Sequence, residues 1–352
     1  MFEEGLSIII PAYNASSFIE EAIESAQNTG FPKLEIIVIN DGSSDNTGEI
    51  VSTMMKKNTP TCWIKTINQK NAGVSIARNR GIQESTTPWI MFLDADDFLV
   101  PNIYSHLKDI PTDGDAYIFS FICSNKRLHT PKENNIEKIL EFDKKKMPLL
   151  QQWTLGFSEN HAPSGINFQS SWATIYKKSV LTKKTIKFPH NVINGEDLLF
   201  RLNFFEESNK CYCIKFPIYV YYNNPNSVTN RYKPDICNNT NLFFKNLSPI
   251  INKHPEFHNQ YLRMIVNNFF LEMDHFLFHK KNTLNIRNKY NHFYNSIKKD
   301  YYQQAFAVQD PYWKKCSIFK RTIYRAMISR FYKFVFLFYL AKHSIRKLIW
   351  TN

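Results

Sequence analysis

Three carboxylates lie within four positions, immediately after a run of apolar residues. Asp94, Asp96 and Asp97 follow residues 90–93, and a short apolar run of this kind predicts a buried strand. Carboxylates just past a strand end lie where open α/β sheets bind ligands, and carboxylate-bound Mg²⁺ usually takes phosphate ligands as well. The spacing therefore indicates a cation site beside a phosphate, although an acidic turn with helix-capping aspartates would use the same residues.

Earlier segments of the chain predict the elements that would position these carboxylates. Residues 6–10, 34–39 and 62–67 have the composition of strands, and a helical pattern follows each of them. This alternation predicts a mostly parallel, doubly wound α/β sheet with right-handed crossovers. We then expect the residues that follow the first three strands to line one crevice. They are Tyr13, Asp41, Asn71 and Arg78.

Together these side chains suit a nucleoside diphosphate that carries a leaving group. An aromatic ring such as Tyr13 can stack on a base. A carboxylate such as Asp41 can accept from an N–H of a heterocycle, and Arg78 can pair with a diphosphate. Asp94 and Asp96 could hold a ribose and a divalent ion. Each residue alone also has a structural explanation, so the prediction depends on their combination.

Four ordered blocks resemble the nucleotide-sugar half of the family 2 inverting glycosyltransferases, which have the GT-A fold. The blocks are SIIIPAYN (7–14), IVINDGSSD (37–45), NAGVSIARNRG (71–81) and FLDADD (92–97). The resemblance implies a UDP-sugar donor and Mg²⁺ or Mn²⁺ on its diphosphate. It implies uracil contacts for Pro11, Ala12, Tyr13 and Asp41, and base or phosphate contacts for Asn71 and Arg78. It also implies donor contacts for Asp94, Ala95 and Asp96, with Asp94 facing the ribose and Asp96 binding the metal.

The resemblance returns at residues 195–197, with the sequence GED. Inverting transfer needs a carboxylate that deprotonates the acceptor hydroxyl. The resemblance implies Asp197 as this catalytic base and Glu196 as the group that orients the acceptor, although acidic residues also favour a helix N-terminus. It further implies acceptor contacts for Trp172 and Asp97 and diphosphate contacts for Ser227 and Arg231. By residue type alone, His161 and His190 are candidates for a further metal ligand.

The composition predicts a globular chain with a basic C-terminal region. Its 352 residues are 43% hydrophobic and 15% aromatic, with a formal net charge of +13, and this length predicts roughly two domains. Residues 236–352 contain 19 Lys and Arg against 5 Asp and Glu, which indicates an anionic partner. We expect a GT-A catalytic domain at 1–234 and a basic helical region at 235–352. The six cysteines form no CxxC pair, and we expect those beside apolar stretches to be free thiols that pack in the core.

The last segment predicts a basic amphipathic helix. Apolar residues recur at steps of three and four, namely Phe319, Ile323, Met327, Phe331, Phe334, Phe338, Ala341, Ile345 and Leu348. The basic residues opposite them are Lys314, Arg321, Arg325, Arg346 and Lys347. Such a helix either docks on anionic lipid or packs on the catalytic domain or in a homo-oligomer interface.

The expected location is the cytoplasm, either free or peripheral on the inner face of the membrane. The N-terminal residues lack the features of a signal peptide, and the longest apolar window, 334–341, is too short to cross a bilayer. No recognition motif supports a nucleic-acid partner.

The sequence thus predicts a metal-dependent inverting glycosyltransferase. It would transfer a hexose or N-acetylhexosamine from a UDP-sugar to a hydroxyl of a lipopolysaccharide or lipooligosaccharide, a capsule or a lipid-linked oligosaccharide. One alternative is a nucleotidyltransferase, which would be expected to carry a glycine-rich loop where residues 11–14 read PAYN. Another is a non-catalytic glycan- or lipid-binding protein derived from such an enzyme.

Overall fold

The computed structural model describes residues 2–125, 135–157, 161–224 and 232–349, with side chains up to residue 343. The chain divides into two compact units, Met1–Asn226 and Ser227–Asn352. The sequence placed this division after residue 234. Each unit is described by itself below.

In the first unit, the described residues form one mixed sheet of nine strands. The strands are β1 (Leu6–Ala12), β2 (Leu34–Asp41), β3 (Cys62–Gln69), β4 (Trp89–Phe92), β5 (Phe98–Leu99), β6 (Ala116–Ser124), β7 (Ile139–Asp143), β8 (Thr174–Lys177) and β9 (Lys210–Tyr222). Their order in the sheet is β3-β2-β1-β4-β8-β6-β9-β5, with β7 paired to β9. The first four strands of this order run parallel, whereas β8 is antiparallel to both of its neighbours.

Helices cover both faces of the parallel strands. They are α1 (Ile19–Gln27), α2 (Thr47–Met54), α3 (Val74–Glu84), α4 (Ile103–His106), α5 (Met147–Leu155), α6 (Lys178–Lys183) and α7 (Glu196–Glu207). Alternate residues of β1 enter different apolar clusters, with Ile8 and Ile10 in one and Ile9 in the other. A strand buried on both faces requires continuous apolar residues. This requirement explains why the doubly wound part of the GT-A fold could be predicted from the sequence.

A glycine allows α3 to lie directly on β1. A Cβ atom added at Gly81 would overlap Ile9 Cγ2, so the absence of a side chain permits this close approach. Because interiors are densely packed, helix and strand cannot separate without leaving a void. The contact helps to fix α3, which carries Arg78, against the sheet.

The second unit is helical throughout its described residues. Its helices are α8 (Ile236–Lys253), α9 (His258–Glu272), α10 (Ile286–Ile297), α11 (Asp300–Ala307), α12 (Ile318–Ile328) and α13 (Tyr332–Ile349). A π-helical turn, Met273–Leu277, directly follows α9. The buried helix α9 packs against α8 and α11. No helix in the described parts of the chain is long and apolar enough to cross a bilayer.

One strand has no local signal, and one local expectation was wrong. Strand β7 lies in the polar segment 124–146, and its pairing with β9 could not be inferred locally. The single C-terminal amphipathic helix is two helices, because Arg330 adopts a left-handed conformation with φ 57° between them. The break changes the helical phase, so α13 buries Val335, Phe336 and Tyr339 and leaves Phe334 and Phe338 exposed.

Candidate active site

The loops after β1 and β2 are tied to each other at the carboxyl edge of the sheet. Asn14 N donates to Ser43 Oγ at 3.0 Å, and Ser44 N donates to Asn14 Oδ1 at 2.8 Å. Ser16 N donates to Asp45 Oδ2 at 3.0 Å, and the hydrogen bonds of Asp45 lower its pKa to about 2 although desolvation opposes them. These contacts hold the turn that carries Tyr13, whose side chain is 56% exposed. The exposed ring is free to receive a planar ligand.

Asp41, at the end of β2, holds the turn that begins α3. Its Oδ1 accepts from Gln69 Nε2 and Ala72 N, and its Oδ2 accepts from Gly73 N, each at 2.8 Å. Gly73 has φ 91°, a conformation that favours glycine. Asp41, which is predicted to contact the nucleobase, therefore also shapes the loop that carries the exposed Asn71. Pro11 and Ala12 end β1 beside this loop cluster.

Arg78 joins two sequence-predicted site residues that lie 103 positions apart. Its Nη2 donates to Asp94 Oδ1 at 2.8 Å and its Nη1 to Asp197 Oδ1 at 2.7 Å. The guanidinium group is buried and lies over the ring of Phe188, with Cζ 5.2 Å from the ring centroid. Neighbouring carboxylates raise the pKa of Arg78 even though desolvation opposes them. A buried cation of this kind is stable only with such partners.

The two acidic residues at the start of α7 have different environments. Asp197 Oδ2 accepts from Ser171 N at 3.0 Å, so both of its oxygens are engaged. Glu196 Oε1 lies 3.7 Å from Arg78 Nη1. Burial, and then the charge of Asp197, raise the pKa of Glu196 well above its ordinary value. Burial thus favours the protonated form of Glu196, whereas Arg78 and the Ser171 N–H orient the Asp197 carboxylate.

The acidic residues after β4 divide between partly exposed and buried positions. Asp94 and Asp96 are partly exposed, as is Ala95 between them. Asp97 is buried, and its two oxygens accept from Tyr219 Oη at 2.6 Å and Tyr222 N at 2.9 Å. Asp97 thus connects this turn to β9. Its predicted acceptor contact stays a prediction.

Asp96 fits the role of a metal ligand. Burial, and to a lesser extent the charge of Asp94, raise the pKa of Asp96, and a bound cation would offset both effects. Asn224 Nδ2 donates to its Oδ2 at 3.2 Å. Among the described residues, no three acidic, histidine or cysteine side chains cluster here with ligand atoms within 4.8 Å. Few protein ligands are typical of Mg²⁺ sites completed by phosphate.

The remaining sequence-predicted residues lie in three kinds of position. Trp172 is 5% exposed and stacks on Tyr219, with ring centroids 4.6 Å apart. His161 and His190 are exposed, and a metal contact by either of them stays a prediction. Ser227 and Arg231 lie outside the described residues.

Four residues that sequence reasoning missed support the site. Ser171 N donates to Asp197, and the Phe188 ring lies against Arg78. Tyr219 Oη accepts from the Asp94 backbone N–H and donates to the Asp97 carboxylate. Arg201 is fully buried, and its Nη1 donates to Ser170 O, Thr174 Oγ1 and Tyr176 Oη. A usable signal existed only for Arg201, which lies one helical turn after Asp197.

The open sheet and the acidic crevice at its carboxyl edge define a GT-A-type nucleotide-binding fold. Residues 7–171 match the model of glycosyl transferase family 2. This part of the chain therefore belongs to the family 2 glycosyltransferases.

Two curated relatives carry glycosyltransferase names, and a solved structure shares the fold. The uncharacterized glycosyltransferase EpsJ of Bacillus subtilis is 30% identical over 234 residues, which cover 65% of this chain and 64% of EpsJ. A Campylobacter jejuni GalNAc(5)-diNAcBac-PP-undecaprenol beta-1,3-glucosyltransferase is 29% identical over 207 residues, covering 58% of this chain and 60% of that enzyme. The chain thus spans less than two thirds of either relative. S. aureus TarS 1-349, solved with UDP, aligns with TM-score 0.60 and 17% identity over 94% of this chain and 89% of TarS.

Replacing Arg78 tests whether its charge holds the site together. Arg78→Met should lower the free energy of unfolding by up to about 3–5 kcal/mol, because it leaves partly buried carboxylates without their cation. Arg80→Met is the matched control, since Arg80 lies on the same helix, is exposed and pairs with Glu84 at 2.7 Å. Its change should stay within about 0.5 kcal/mol. Equal effects of the two variants in urea unfolding would contradict the structural role of Arg78.

Proposed function

We propose that the first unit transfers a sugar from a UDP-sugar to a hydroxyl of a bacterial glycan acceptor, with inversion at the anomeric carbon. The observation that carries this proposal is Arg78, which binds the donor-side Asp94 and the candidate base Asp197 through one guanidinium group. A single rigid group therefore sets the separation of the two carboxylates between which a reacting sugar would lie. Such positioning of reacting groups contributes strongly to catalysis.

The donor nucleotide would occupy the ends of β1, β2 and β4. The exposed Tyr13 ring and Asn71 border the proposed base position, next to the loop held by Asp41. Asp94 would face the ribose. S. aureus TarS, which shares the fold, was solved with UDP, and this supports a uridine nucleotide as part of the donor. Bound Mg²⁺ or Mn²⁺ held by Asp96 would offset the charge of the UDP leaving group.

Asp197 is the proposed general base. Its carboxylate would take the proton of the acceptor hydroxyl while that oxygen attacks the anomeric carbon, and the bonding electrons would leave with UDP. Arg78 and the Ser171 N–H hold this carboxylate in one orientation. Glu196, with its raised pKa, would hydrogen-bond the acceptor rather than accept its proton. The Campylobacter relative, named for an undecaprenol-linked glycan, supports a lipid-linked acceptor.

Asp197→Asn should retain donor binding and lose transfer. We expect UDP release from UDP-glucose, UDP-galactose, UDP-GlcNAc or UDP-GalNAc with acceptor to fall by about 10²–10⁴-fold, because the amide cannot accept the proton. UDP-sugar affinity, measured by calorimetry, should not change. Asp109→Asn, at an exposed position, is the matched control.

Glu196→Gln distinguishes the two acidic residues. Full turnover by Asp197→Asn together with loss of turnover by Glu196→Gln would show that Glu196, and not Asp197, is the base. Binding of every UDP-sugar by the wild type, with no turnover of any, would instead support a non-catalytic protein.

Asp96→Ala should remove the metal dependence of UDP binding. Wild-type protein should bind UDP more tightly with Mn²⁺ than with EDTA, because the ion joins a carboxylate to the diphosphate. The variant should have equal affinity in both conditions, whereas Asp109→Ala should behave as wild type. An Mn²⁺ effect of wild-type size in Asp96→Ala, measured by calorimetry, would rule out the metal role.

We further propose that the second unit docks on an anionic lipid surface, where a lipid-linked acceptor would reside. Lys314, Arg321 and Arg325 line a cavity of about 360 Å³ together with Trp313 and Tyr324. None of these three cations forms an ion pair with another described residue. The same α12–α13 segment leaves large apolar side chains exposed, with Ile318 at 73%, Phe331 at 65% and Leu337 at 61%. Unpaired cations beside exposed apolar groups suit the interface of an anionic membrane.

Charge reversal at the cavity tests this docking. Arg321→Glu/Arg325→Glu should reduce co-sedimentation with phosphatidylcholine/phosphatidylglycerol vesicles by at least about tenfold, because each basic residue near the surface contributes about 1 kcal/mol. The matched control, Lys245→Glu/Lys253→Glu, makes the same change of charge at exposed positions of α8. An equal loss in the control, or no vesicle binding by wild-type protein, would contradict a specific docking face.

A further inference from the structure

A buried carboxylate in the second unit lies between a thiol and an imidazole. Cys237 on α8 donates through Sγ to Glu272 Oε1 at 2.9 Å, and its Sγ lies 3.3 Å from His292 Nε2 on α10. His292 Nε2 is 3.5 Å from the same Glu272 oxygen. Glu272, the last residue of α9, is fully buried. Three helices therefore bring one sulfur, one nitrogen and one oxygen to a common point.

These separations are close to those of three ligands in a tetrahedral zinc site. Zinc bonds of about 2.3 Å to sulfur and 2.0–2.1 Å to nitrogen and oxygen place such ligand atoms about 3.3–3.6 Å apart. Two of the observed distances, 3.3 and 3.5 Å, already lie in this range. The third, 2.9 Å between sulfur and oxygen, would need to widen by about 0.6 Å. Only small side-chain movements would admit the ion.

We propose that Cys237, Glu272 and His292 bind Zn²⁺, with a water molecule in the fourth position. Binding would replace the thiol proton: the S–H bond breaks, an S–Zn bond forms and one proton enters solvent. One Zn²⁺ with a thiolate, a carboxylate and a neutral imidazole gives a site of zero net charge. This neutrality suits a location where Glu272 is buried, because isolated buried charges are unfavourable.

The surroundings of Glu272 resemble the outer shell of a metal ligand. Ser296 Oγ donates to its Oε1 at 2.5 Å and Tyr302 Oη to its Oε2 at 2.9 Å. Hydrogen bonds of this kind orient carboxylate ligands. Although burial opposes them, hydrogen bonds from His292, Cys237 and Ser296, and to a lesser extent the charge of Lys299, lower the pKa of Glu272. Lys299 Nζ itself donates to Asn241 Oδ1 at 3.2 Å. No lysine or arginine forms an ion pair with Glu272 among the described residues.

The position of the cluster in the fold is consistent with a bound ion. The π-helical turn Met273–Leu277 begins directly after Glu272, and single π-helical turns are frequent at functional sites. The His292 side chain is 32% exposed, which provides a path for the ion and for its fourth ligand. Because the ligands come from α8, α9 and α10, the ion would join these three helices. Its expected role is to stabilise the second unit rather than to take part in sugar transfer.

Cobalt spectroscopy of the full-length protein tests this site. Reduced, metal-stripped wild-type protein titrated with Co²⁺ should develop a thiolate-to-cobalt charge-transfer band in the near ultraviolet, at one ion per chain. Cys237→Ser should abolish the band. Cys316→Ser is the matched control, as Cys316 is also a partly buried free thiol of the second unit, and it should retain the band. Asp96→Ala should also retain it, which separates this site from the proposed donor site.

Zinc affinity provides a second measurement in case Cys237→Ser does not fold. Competition with a chromophoric chelator should show that His292→Ala weakens Zn²⁺ binding by more than about 100-fold, because loss of an outer-shell partner alone costs about 10–100-fold. Zn²⁺ should also raise the melting temperature of the wild type but not of His292→Ala. A wild type without the charge-transfer band, or a band of full intensity in Cys237→Ser, would reduce the cluster to a hydrogen-bond network and overturn the proposal.

Discussion

The buried ion pairs of Arg78 are the interaction on which the arrangement of the first unit depends. Its guanidinium group takes carboxylates from the end of β4 and from the start of α7, so a sheet strand and a helix separated by about a hundred residues of chain meet at one cation. Coulombic attraction alone does not offset the desolvation of these groups. The Ser171 N–H, which donates to Asp197, and the face of the Phe188 ring, which lies against the Arg78 cation, complete the environment. The arrangement also needs α3 close to β1, which the missing side chain of Gly81 permits. Sheet packing, one glycine and one arginine thus together determine where Asp94 and Asp197 lie.

The parts of this unit that could be predicted from sequence are those whose cause is local. Strands β1 and β2 are buried on both faces, and their unbroken apolar runs follow directly from that burial. The sequence also identified Arg78, Asp94 and Asp197 singly, through the resemblance of short motifs. Their mutual contact could not be predicted, because residue type does not report which partner a side chain 119 positions away will bind. For the same reason β7 was missed, since its pairing with β9 is a tertiary contact that its own residues do not encode.

In the second unit, by contrast, a strong local pattern predicted one continuous helix where the structure has two. Spacing of three and four residues is continuous from Phe319 to Leu348 in the sequence, yet the left-handed Arg330 interrupts the helix. Beyond that break, Val335, Phe336 and Tyr339 are buried in place of the predicted stripe. Part of its apolar surface packs within the unit and part is exposed. Docking on anionic lipid and packing on the catalytic domain or in a homo-oligomer interface both stay predictions. The cluster of Cys237, Glu272 and His292 gave no signal at all, because its members are 35 and 20 residues apart and match no metal-binding spacing.

The charge balance of the candidate active site favours the proposed cation. Asp94, Asp96, Asp97, Glu196 and Asp197 are five carboxyl groups, and among the described residues Arg78 forms ion pairs with three of them, Asp94, Glu196 and Asp197. Burial, and to a lesser extent the charges of neighbouring carboxylates, raise the pKa values of Asp96, Asp97 and Glu196, because both disfavour the charged form. A diphosphate would add further negative charge to the same crevice. Arg78 cannot offset it without weakening its bonds to Asp94 and Asp197, so a divalent ion at Asp96 would allow the nucleotide to bind while the base remains held in place.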